Sequence, residues 1–283
     1  WVDSGHADAN DVLNWGTQKD QPFATLDYAV GRCTASSGDV IYLLPGHTET
    51  LTTADQIDLD VAGISVIGLG NGTDRPTFTY TVAAGEIVVG ADNVLIENIV
   101  CNSSVTATLI AIDIEDGVDY CTIRNCQFGV DLEGTDEFNN TIVLKNNNTG
   151  CVIENNLIDM DIAGAVNGIL LDADTARTVI RNNVILGDFS TANIFADTAL
   201  STDLLIQGNI LVNGEGGDLG TEPNIELITN TTGIITDNYC VCNVASDDAA
   251  VVGDAMMNFN NQYSETVGAG VGIATAAGTT LTA

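Results

Sequence analysis

Three acids and one lysine occupy the same place in successive copies of a repeated segment. They are Glu115, Lys145, Asp172 and Asp197. Hydrolysis of a glycosidic bond requires at least two carboxyl groups, which lie roughly 5 to 9.5 Å apart. Neighbours on adjacent strands lie about 4.8 Å apart, and residues two apart on one strand about 6.7 Å apart, so this set could reach that geometry. A solvated acidic surface would reach it equally, with Lys145 relieving repulsion. The four residues are therefore weak catalytic candidates.

The elements that position these residues follow from the repeat. A short apolar segment recurs at steps of 26 to 30 residues, and its central isoleucines are Ile96, Ile123, Ile153, Ile180, Ile206 and Ile235. Ile67 and Ile41 extend the series towards the N-terminus. Ile, Val, Leu and Thr alternate with polar residues in short runs separated by Asn, Asp and Gly, which is typical of strands and turns. A fixed period of this size predicts one unit stacked on copies of itself.

Three short strands with their turns, in about 27 residues, predict one coil of a parallel β-helix whose coils stack at about 4.8 Å. Residues 38–255 are predicted to form about eight such coils, each of about 25–32 residues. Residues 1–37 would form an N-terminal arm and a capping helix, and residues 256–283 the last coil and a tail. In the capping helix, Pro22 suits the first turn, and Phe23, Leu26, Val30 and Cys33 share one face.

An asparagine follows each central isoleucine. Asn98, Asn125, Asn155 and Asn182 hold one register, and Asn209 and Asn238 lie one residue later. Asparagine tolerates the left-handed backbone of a sharp bend. Stacked coil on coil, the side-chain amides can also hydrogen-bond to one another, each bond being worth about 1 kcal/mol net. The first register therefore predicts an asparagine ladder; the alternative is that these residues only form turns.

Val143, Leu170 and Phe195 are predicted to point outward in three consecutive coils, next to the acidic column. An apolar stripe on a charged rod often marks a contact with a partner. We expect it to pack against sister subunits in a trimer or against a capsid. The alternative is that the loop at residues 129–140 folds over it.

The net charge of −32, from 39 acidic and 7 basic residues, excludes binding to nucleic-acid phosphates. It also repels polyanionic polysaccharides unless cations or salt screen it. No apolar run of the length of a membrane span occurs, so no membrane insertion is expected.

Seven cysteines and two histidines form no zinc-binding pattern. No metal or cofactor is predicted, and divalent cations would bind only adventitiously. Cys121 and Cys151 fall in disulfide range on adjacent coils, but a column of reduced thiols in the core is the preferred interpretation.

The entry segment GTQKDQPFATLDYAV, the SGDVIYLLPG strand and turn, and the asparagine-ended coils resemble the right-handed parallel β-helix proteins of the pectin-lyase-like superfamily. The resemblance implies an all-β, single-stranded, right-handed parallel β-helix. Residues 59–80 look more particularly like β-helix proteins encoded among bacteriophage structural genes. This second resemblance implies a virion component, such as a head decoration or spike protein.

The superfamily's enzymes would need patterns that this chain lacks. A pectate-lyase site needs an arginine base beside calcium-binding aspartates, yet Arg124 and Arg181 lie away from the acidic column. The polygalacturonase motif set does not occur either. We therefore expect a non-catalytic virion structural protein on the particle surface. The alternatives are a secreted or tailspike-like polysaccharide-cleaving enzyme and a carbohydrate-binding adhesin.

Overall fold

The computed structural model is a parallel β-helix in which each coil contributes one strand to each of three long sheets. It describes residues 1–129, 136–160, 164–196, 200–215, 218–219, 222–227, 231–242, 250–251, 256–264 and 272–273. Strands follow one another in chain order and pair in parallel within each sheet. The predicted all-β parallel β-helix is confirmed, and it has about seven turns where the sequence predicts about eight coils.

The first and second sheets are joined within each coil by a short bend, which asparagine forms in several coils. The nine strands of the first sheet are Val40–Leu43, Ser65–Gly68, Leu95–Glu97, Thr122–Arg124, Val152–Glu154, Val179–Arg181, Leu204–Gln207, Gly233–Thr236 and Met256–Phe259. The parallel strands of the second sheet are Thr48–Leu51, Thr77–Tyr80, Val100–Ser103, Gln127–Phe128, Leu157–Met160, Val184–Gly187, Ile210–Glu215, Tyr239–Val241 and Gln262–Ser264. Asp218–Leu219 and Gly272–Ile273 add to this sheet in the antiparallel direction.

The third sheet closes each coil. Its strands are Ile57–Asp58, Ile87–Val89, Thr108–Ile114, Phe138–Leu144, Asn167–Leu171, Ala192–Ala196, Ile225–Leu227 and Ala250–Val251. A small fourth sheet lies in the turns that lead back to the first sheet, and its strands are Asn148–Thr149, Thr175–Ala176 and Ser201–Thr202. One 3-10 turn spans Gly72–Asp74 and one α-helix spans Leu26–Val30.

Stacked aliphatic columns form the core. In the first sheet the buried column consists of Ile41, Val66, Ile96, Ile123, Ile153, Ile180, Ile206 and Ile235. Each such buried side chain stabilises the fold by about 1.5–3 kcal/mol. Val66, and not Ile67, occupies the core position in the second coil, because Ile67 pairs in register with the outward residue Glu97. The repeat therefore slips by one residue there.

The capping helix is shorter than its sequence pattern predicts. It begins at Leu26, after Thr25, whose hydroxyl accepts a hydrogen bond from the Tyr28 amide. Pro22 therefore lies before the helix and not in its first turn. The segment still covers the open end of the rod, because Phe23, Leu26 and the following turn are buried against the first coil. Asp11 supports this start, since its Oδ2 accepts a hydrogen bond from Thr25 Oγ1 at 2.9 Å.

The N-terminal arm also packs on the first coil. Val2 is fully buried and forms parallel bridges with Leu43 and Phe23. The Trp1 ring stacks on Tyr42 with 4.8 Å between ring centroids. The arm therefore extends the core at this end of the rod.

Candidate functional site

The predicted acidic column lies where the third sheet ends, and Lys145 joins part of it. Lys145 Nζ lies 2.9 Å from Glu115 Oε1, its register neighbour in the preceding coil. It also lies 2.6 Å from Asp113 Oδ2. Asp113, which is 1% exposed, was not among the candidates, because a sequence does not show which carboxylate a long lysine stem will reach.

These contacts determine the charge states in the cluster. Burial raises the pKa of Asp113 above its ordinary value, and the hydrogen bond and charge of Lys145 oppose that effect. Burial works against the charged form of Lys145, but the hydrogen bonds with Asp113 and Glu115 raise its pKa overall. Lys145 is thus a permanent counter-ion and cannot act as a base near neutral pH.

The other two candidates do not join this contact. Asp172 is exposed, and its amide donates to the carbonyl of Leu144 at 2.9 Å as part of the ordinary ladder between coils. Asp197 lies outside the described residues. Of the predicted set, the structure thus brings together only Glu115 and Lys145 among the residues that it describes.

Glu86 is a further acid of this surface that sequence reasoning missed. It is half-buried and lies one residue before the strand Ile87–Val89. Burial, followed by a hydrogen bond with Asp55 and the charge of Asp113, raises the pKa of Glu86 to about 8. A carboxyl group that keeps its proton near neutral pH is what general-acid catalysis uses. It also arises whenever acids crowd together.

The hydrogen-bonded asparagine ladder lies one residue after the position predicted for it. It consists of Asn156, Asn183, Asn209, Asn238 and Asn261, which are all buried. In each step, the amide Nδ2 donates to Oδ1 of the next asparagine at 2.9–3.1 Å.

The predicted residues Asn98, Asn125, Asn155 and Asn182 form the bend instead, with φ of +54° to +61°. In that left-handed conformation their side chains point away from the core, and Asn155 and Asn182 are exposed. In the next two coils Gly208 and Asp237 hold this bend position. Asn209 and Asn238, noted in the sequence as one residue late, thus mark the true ladder.

The predicted apolar stripe is continuous in register, since Val143 pairs with Leu170 and Leu170 with Phe195. Leu170 and Phe195 are half-buried. Val143, however, is only 2% exposed and is not available to a partner. Lys145 reaches diagonally to Asp113, the register neighbour of Val143, so that the lysine stem lies beside the valine. The predicted loop over the stripe falls largely on residues 130–135, which lie outside the described residues.

A larger apolar surface occurs on the second sheet, and the sequence analysis did not predict it. Its outward residues in four successive coils are Leu157, Val184, Ile210 and Tyr239 in one column, with Leu186 and Val212 in the next column, where Val241 is buried. Ile210 is 44% exposed. Asp159 is the one charged side chain among the described outward residues of these coils.

The outer face of the first sheet is also nearly neutral. One outward column contains Leu95, Thr122, Val152, Val179, Leu205, Ile234 and Met257. Beside it, charges alternate along the rod: Arg124 pairs with Glu97 at 2.8 Å, and Arg181 with Glu154 at 2.6 Å. These arginines lie on a different sheet from the acidic column, as the sequence predicts.

All seven cysteines are free thiols, and six of them are buried. Within the described ranges, no group of three or more His, Cys, Asp and Glu side chains is placed to hold a metal ion. In the same part of the chain, no helix has both the length and the apolar character needed to cross a bilayer.

The fold and this surface define a parallel β-helix with an acidic third sheet and two nearly neutral sheets. Among solved structures it is similar to the A-module of mannuronan C-5 epimerase AlgE6 from Azotobacter vinelandii, at 13% identity and a TM-score of 0.44, over 84% of this chain and 73% of that one. The AlgE4 A-module from the same organism shares 12% identity at a TM-score of 0.24, over 93% and 100%. No family model and no curated protein matches the sequence. These likenesses concern architecture alone.

Proposed function

We propose that the chain is a non-catalytic structural component of a virus particle, exposed on its surface as a homo-oligomer of three copies. In this role it binds the capsid or another virion protein. The resemblance of residues 59–80 to β-helix proteins of bacteriophage structural genes supports the location.

The observation that carries the assembly is the pair of nearly neutral faces on a chain with a net charge of −32. Most acidic side chains lie in the turns and beside the apolar stripe of the third sheet, whereas one outer column of the first sheet and the outer columns of the second sheet from Leu157 onward are mainly aliphatic. Apolar patches of this kind commonly mark contacts with partners. A closed ring of three needs two different faces on each copy, and these two sheets supply them.

The acidic cluster supports a non-catalytic role. Lys145 pairs with Asp113 and Glu115 at distances below 3 Å and so offsets part of the negative charge of the cluster. The third sheet thus has charge pairing of the kind that stabilises a solvated surface.

The oligomeric state can be measured by analytical ultracentrifugation. We expect a trimer, and we expect Ile210→Asp and Ile234→Asp to shift it towards monomer, because each places a charge in one neutral face. Leu109→Asp is the matched control, since Leu109 is 51% exposed but lies on the third sheet. A monomeric wild-type chain at all concentrations, or equal effects of all three variants, would refute the assembly.

The location is tested by the number of copies on purified particles. A structural component is present in a fixed, large number per particle, and quantitative mass spectrometry measures that number. If the protein is absent from particles made in a host that expresses it, the proposed location is wrong.

A polysaccharide-cleaving enzyme is the second candidate, and the state of Glu86 is the observation that favours it. An acid with a pKa of about 8 keeps its proton near neutral pH and can serve as a general acid. This function predicts new reducing ends or unsaturated sugars from a polysaccharide panel, lost in Glu86→Gln and in Asp172→Asn. If no polysaccharide yields a product, the enzymatic function is refuted and the structural role remains.

A further inference from the structure

The chain contains three asparagine–glycine pairs, and only one of them lies on the surface of the rod. The pairs are Asn71–Gly72, Asn167–Gly168 and Asn213–Gly214. Asn71 and Gly72 are exposed in the turn that joins the strands Ser65–Gly68 and Thr77–Tyr80. Asn167, in contrast, is 3% exposed and Asn213 is fully buried. The structure therefore separates three pairs that the sequence leaves equivalent.

An asparagine that is followed by glycine can react with its own backbone. The glycine nitrogen attacks the side-chain carbon Cγ, an N–Cγ bond closes a cyclic succinimide, and the side-chain amide nitrogen leaves with the glycine proton as ammonia. Water then opens the ring at either carbonyl, which gives aspartate or the β-linked isoaspartate. Glycine favours the attack because it has no Cβ in the way, and the two reacting groups are already joined, as in other intramolecular reactions.

We propose that Asn71 is a site of spontaneous deamidation, with water as the co-reactant. Within the described part of the chain, no hydrogen bond holds the Asn71 side chain or the Gly72 N–H. A Cβ atom on Gly72 would meet no heavy atom within 4 Å, so the space beside the attacking nitrogen is open. The nitrogen and the carbon that it attacks are thus free to come into contact.

The other two asparagines are held away from their glycines. Asn213 Oδ1 accepts a hydrogen bond from the Phe189 N–H at 2.8 Å, and its Nδ2 donates to the Phe189 carbonyl at 3.2 Å. Asn167 Nδ2 donates to Asn140 Oδ1 at 2.9 Å. Turning either side chain towards its glycine nitrogen would break these bonds inside a close-packed interior. Both pairs are therefore protected in the folded chain.

The reaction would alter the turn that positions Arg75. The Arg75 N–H donates to the Gly72 carbonyl at 3.3 Å. The Arg75 side chain is buried, and its guanidinium donates to the carbonyls of Ile99, at 3.3 Å, and of Asn125 in the next two coils. Aspartate at position 71 keeps the backbone as it is, whereas isoaspartate lengthens it by one methylene. We therefore expect isoaspartate, and not aspartate, to lower the melting temperature.

Peptide mapping by mass spectrometry, after incubation of the purified native chain at pH 7 and at pH 9, tests the site. We expect Asn71 to become a mixture of aspartate and isoaspartate, faster at pH 9 because the attacking nitrogen must lose its proton. Asn167 and Asn213 should stay intact over the same period. Incubation in denaturant is the control, since all three pairs should then react at similar rates. Circular dichroism before and after incubation shows that the native sample is folded.

Two variants separate the chemistry from its effect on the fold. Gly72→Asn keeps the left-handed backbone of this position, φ +57°, but adds a Cβ atom beside the attacking nitrogen. It should slow the reaction of Asn71 by about tenfold or more, because misplacing reacting atoms costs at least that much. Asn71→Asp supplies the unbranched product, and it should melt as the wild type does and above the isoaspartate form isolated by chromatography.

Three results overturn the site: Asn71 stays intact in the native chain while the denatured chain reacts, Asn167 or Asn213 reacts as fast as Asn71 in the native chain, or Gly72→Asn reacts as fast as wild type. Equal melting temperatures for Asn71→Asp and the isoaspartate form overturn the effect on Arg75. The reaction needs no second copy of the chain. It can therefore be confirmed or refuted whatever the oligomeric state is found to be.

Discussion

Replacing Asn183 with alanine removes the centre of the asparagine ladder. Its Oδ1 accepts hydrogen bonds from the Asn156 backbone N–H at 3.0 Å and from Asn156 Nδ2 at 3.1 Å. Its Nδ2 donates to the Ile153 carbonyl at 2.9 Å and to Asn209 Oδ1 at 3.0 Å. The variant tests whether these buried bonds hold adjacent coils together.

The cost follows from the groups that lose a partner. Asn156 Nδ2 keeps its bond to the Ile123 carbonyl, and Asn209 Oδ1 keeps the backbone amide of residue 183. Inside the core the Asn156 N–H loses the oxygen that it donates to, whereas the Ile153 carbonyl loses the Asn183 amide but stays within the parallel pair of strands Val152–Glu154 and Val179–Arg181. At about 1–3 kcal/mol for the buried unpaired N–H and about 0.5–1.5 kcal/mol for each other lost hydrogen bond, Asn183→Ala should lower the free energy of unfolding by about 2–5 kcal/mol. At about 2–4 °C per kcal/mol, the melting temperature should fall by about 5–20 °C.

Asn182→Ala is a matched control, because it removes the same side chain one residue earlier. Asn182 is exposed and holds the bend with φ +54°. Alanine there costs about 1 kcal/mol for the left-handed conformation, or about 2–4 °C. Thermal and urea unfolding followed by far-ultraviolet circular dichroism compares the two variants.

The test depends on which of the two variants, Asn183→Ala or Asn182→Ala, loses more stability. If Asn182→Ala is as destabilising as Asn183→Ala, or more so, the ladder does not lie where the structure has it. Asn156→Ala gives an independent repeat of the measurement in the preceding coil.

Three further predictions concern charge and thiols. The proton on Glu86 is bound with a pKa of about 8 in the folded chain and about 4.3 when unfolded, so its contribution to stability is complete near pH 4 and is lost as the pH rises through 8. Glu86→Gln should therefore melt higher than wild type at pH 9 and nearly equal to it at pH 4.5, and a constant difference would contradict this. Lys145→Met leaves the buried Asp113 carboxylate unpaired and should cost roughly 2–4 kcal/mol in urea unfolding at pH 7; adding Asp113→Asn should restore most of it, and no recovery would count against the pairing. Ellman's reagent should modify at most Cys33 in the native protein, because the other six thiols are buried, and all seven after denaturation; rapid reaction of several native thiols would show that the core is open.

Much of the scaffold could be predicted from local pattern. The period, the inward isoleucines and the acidic column all follow from the alternation of apolar and polar residues, since each coil repeats the same local sequence. The register of Val66 could not be predicted from the local pattern, because Val66 and Ile67 are both apolar and β-branched. Only the pairing with Ile41 and Ile96 places Val66 in the core.

The candidate site was predictable only in part. Glu115 and Lys145 were found because they share a position in the repeat. Asp113 and Glu86 were missed because their properties depend on burial and on neighbours from other coils, which carry no signature in the surrounding sequence.

The asparagines show most clearly where local sequence ends and tertiary structure begins. By itself the sequence determined that a left-handed bend follows the central isoleucines and that asparagine forms it in four of the coils. In Asn155–Asn156 and Asn182–Asn183, either residue could form the bend, and both are the same chemically. Tertiary structure decided that the first turns outward and the second inward, because only the second can reach an amide in the next coil. A bend is a property of one residue, but a ladder exists only between coils.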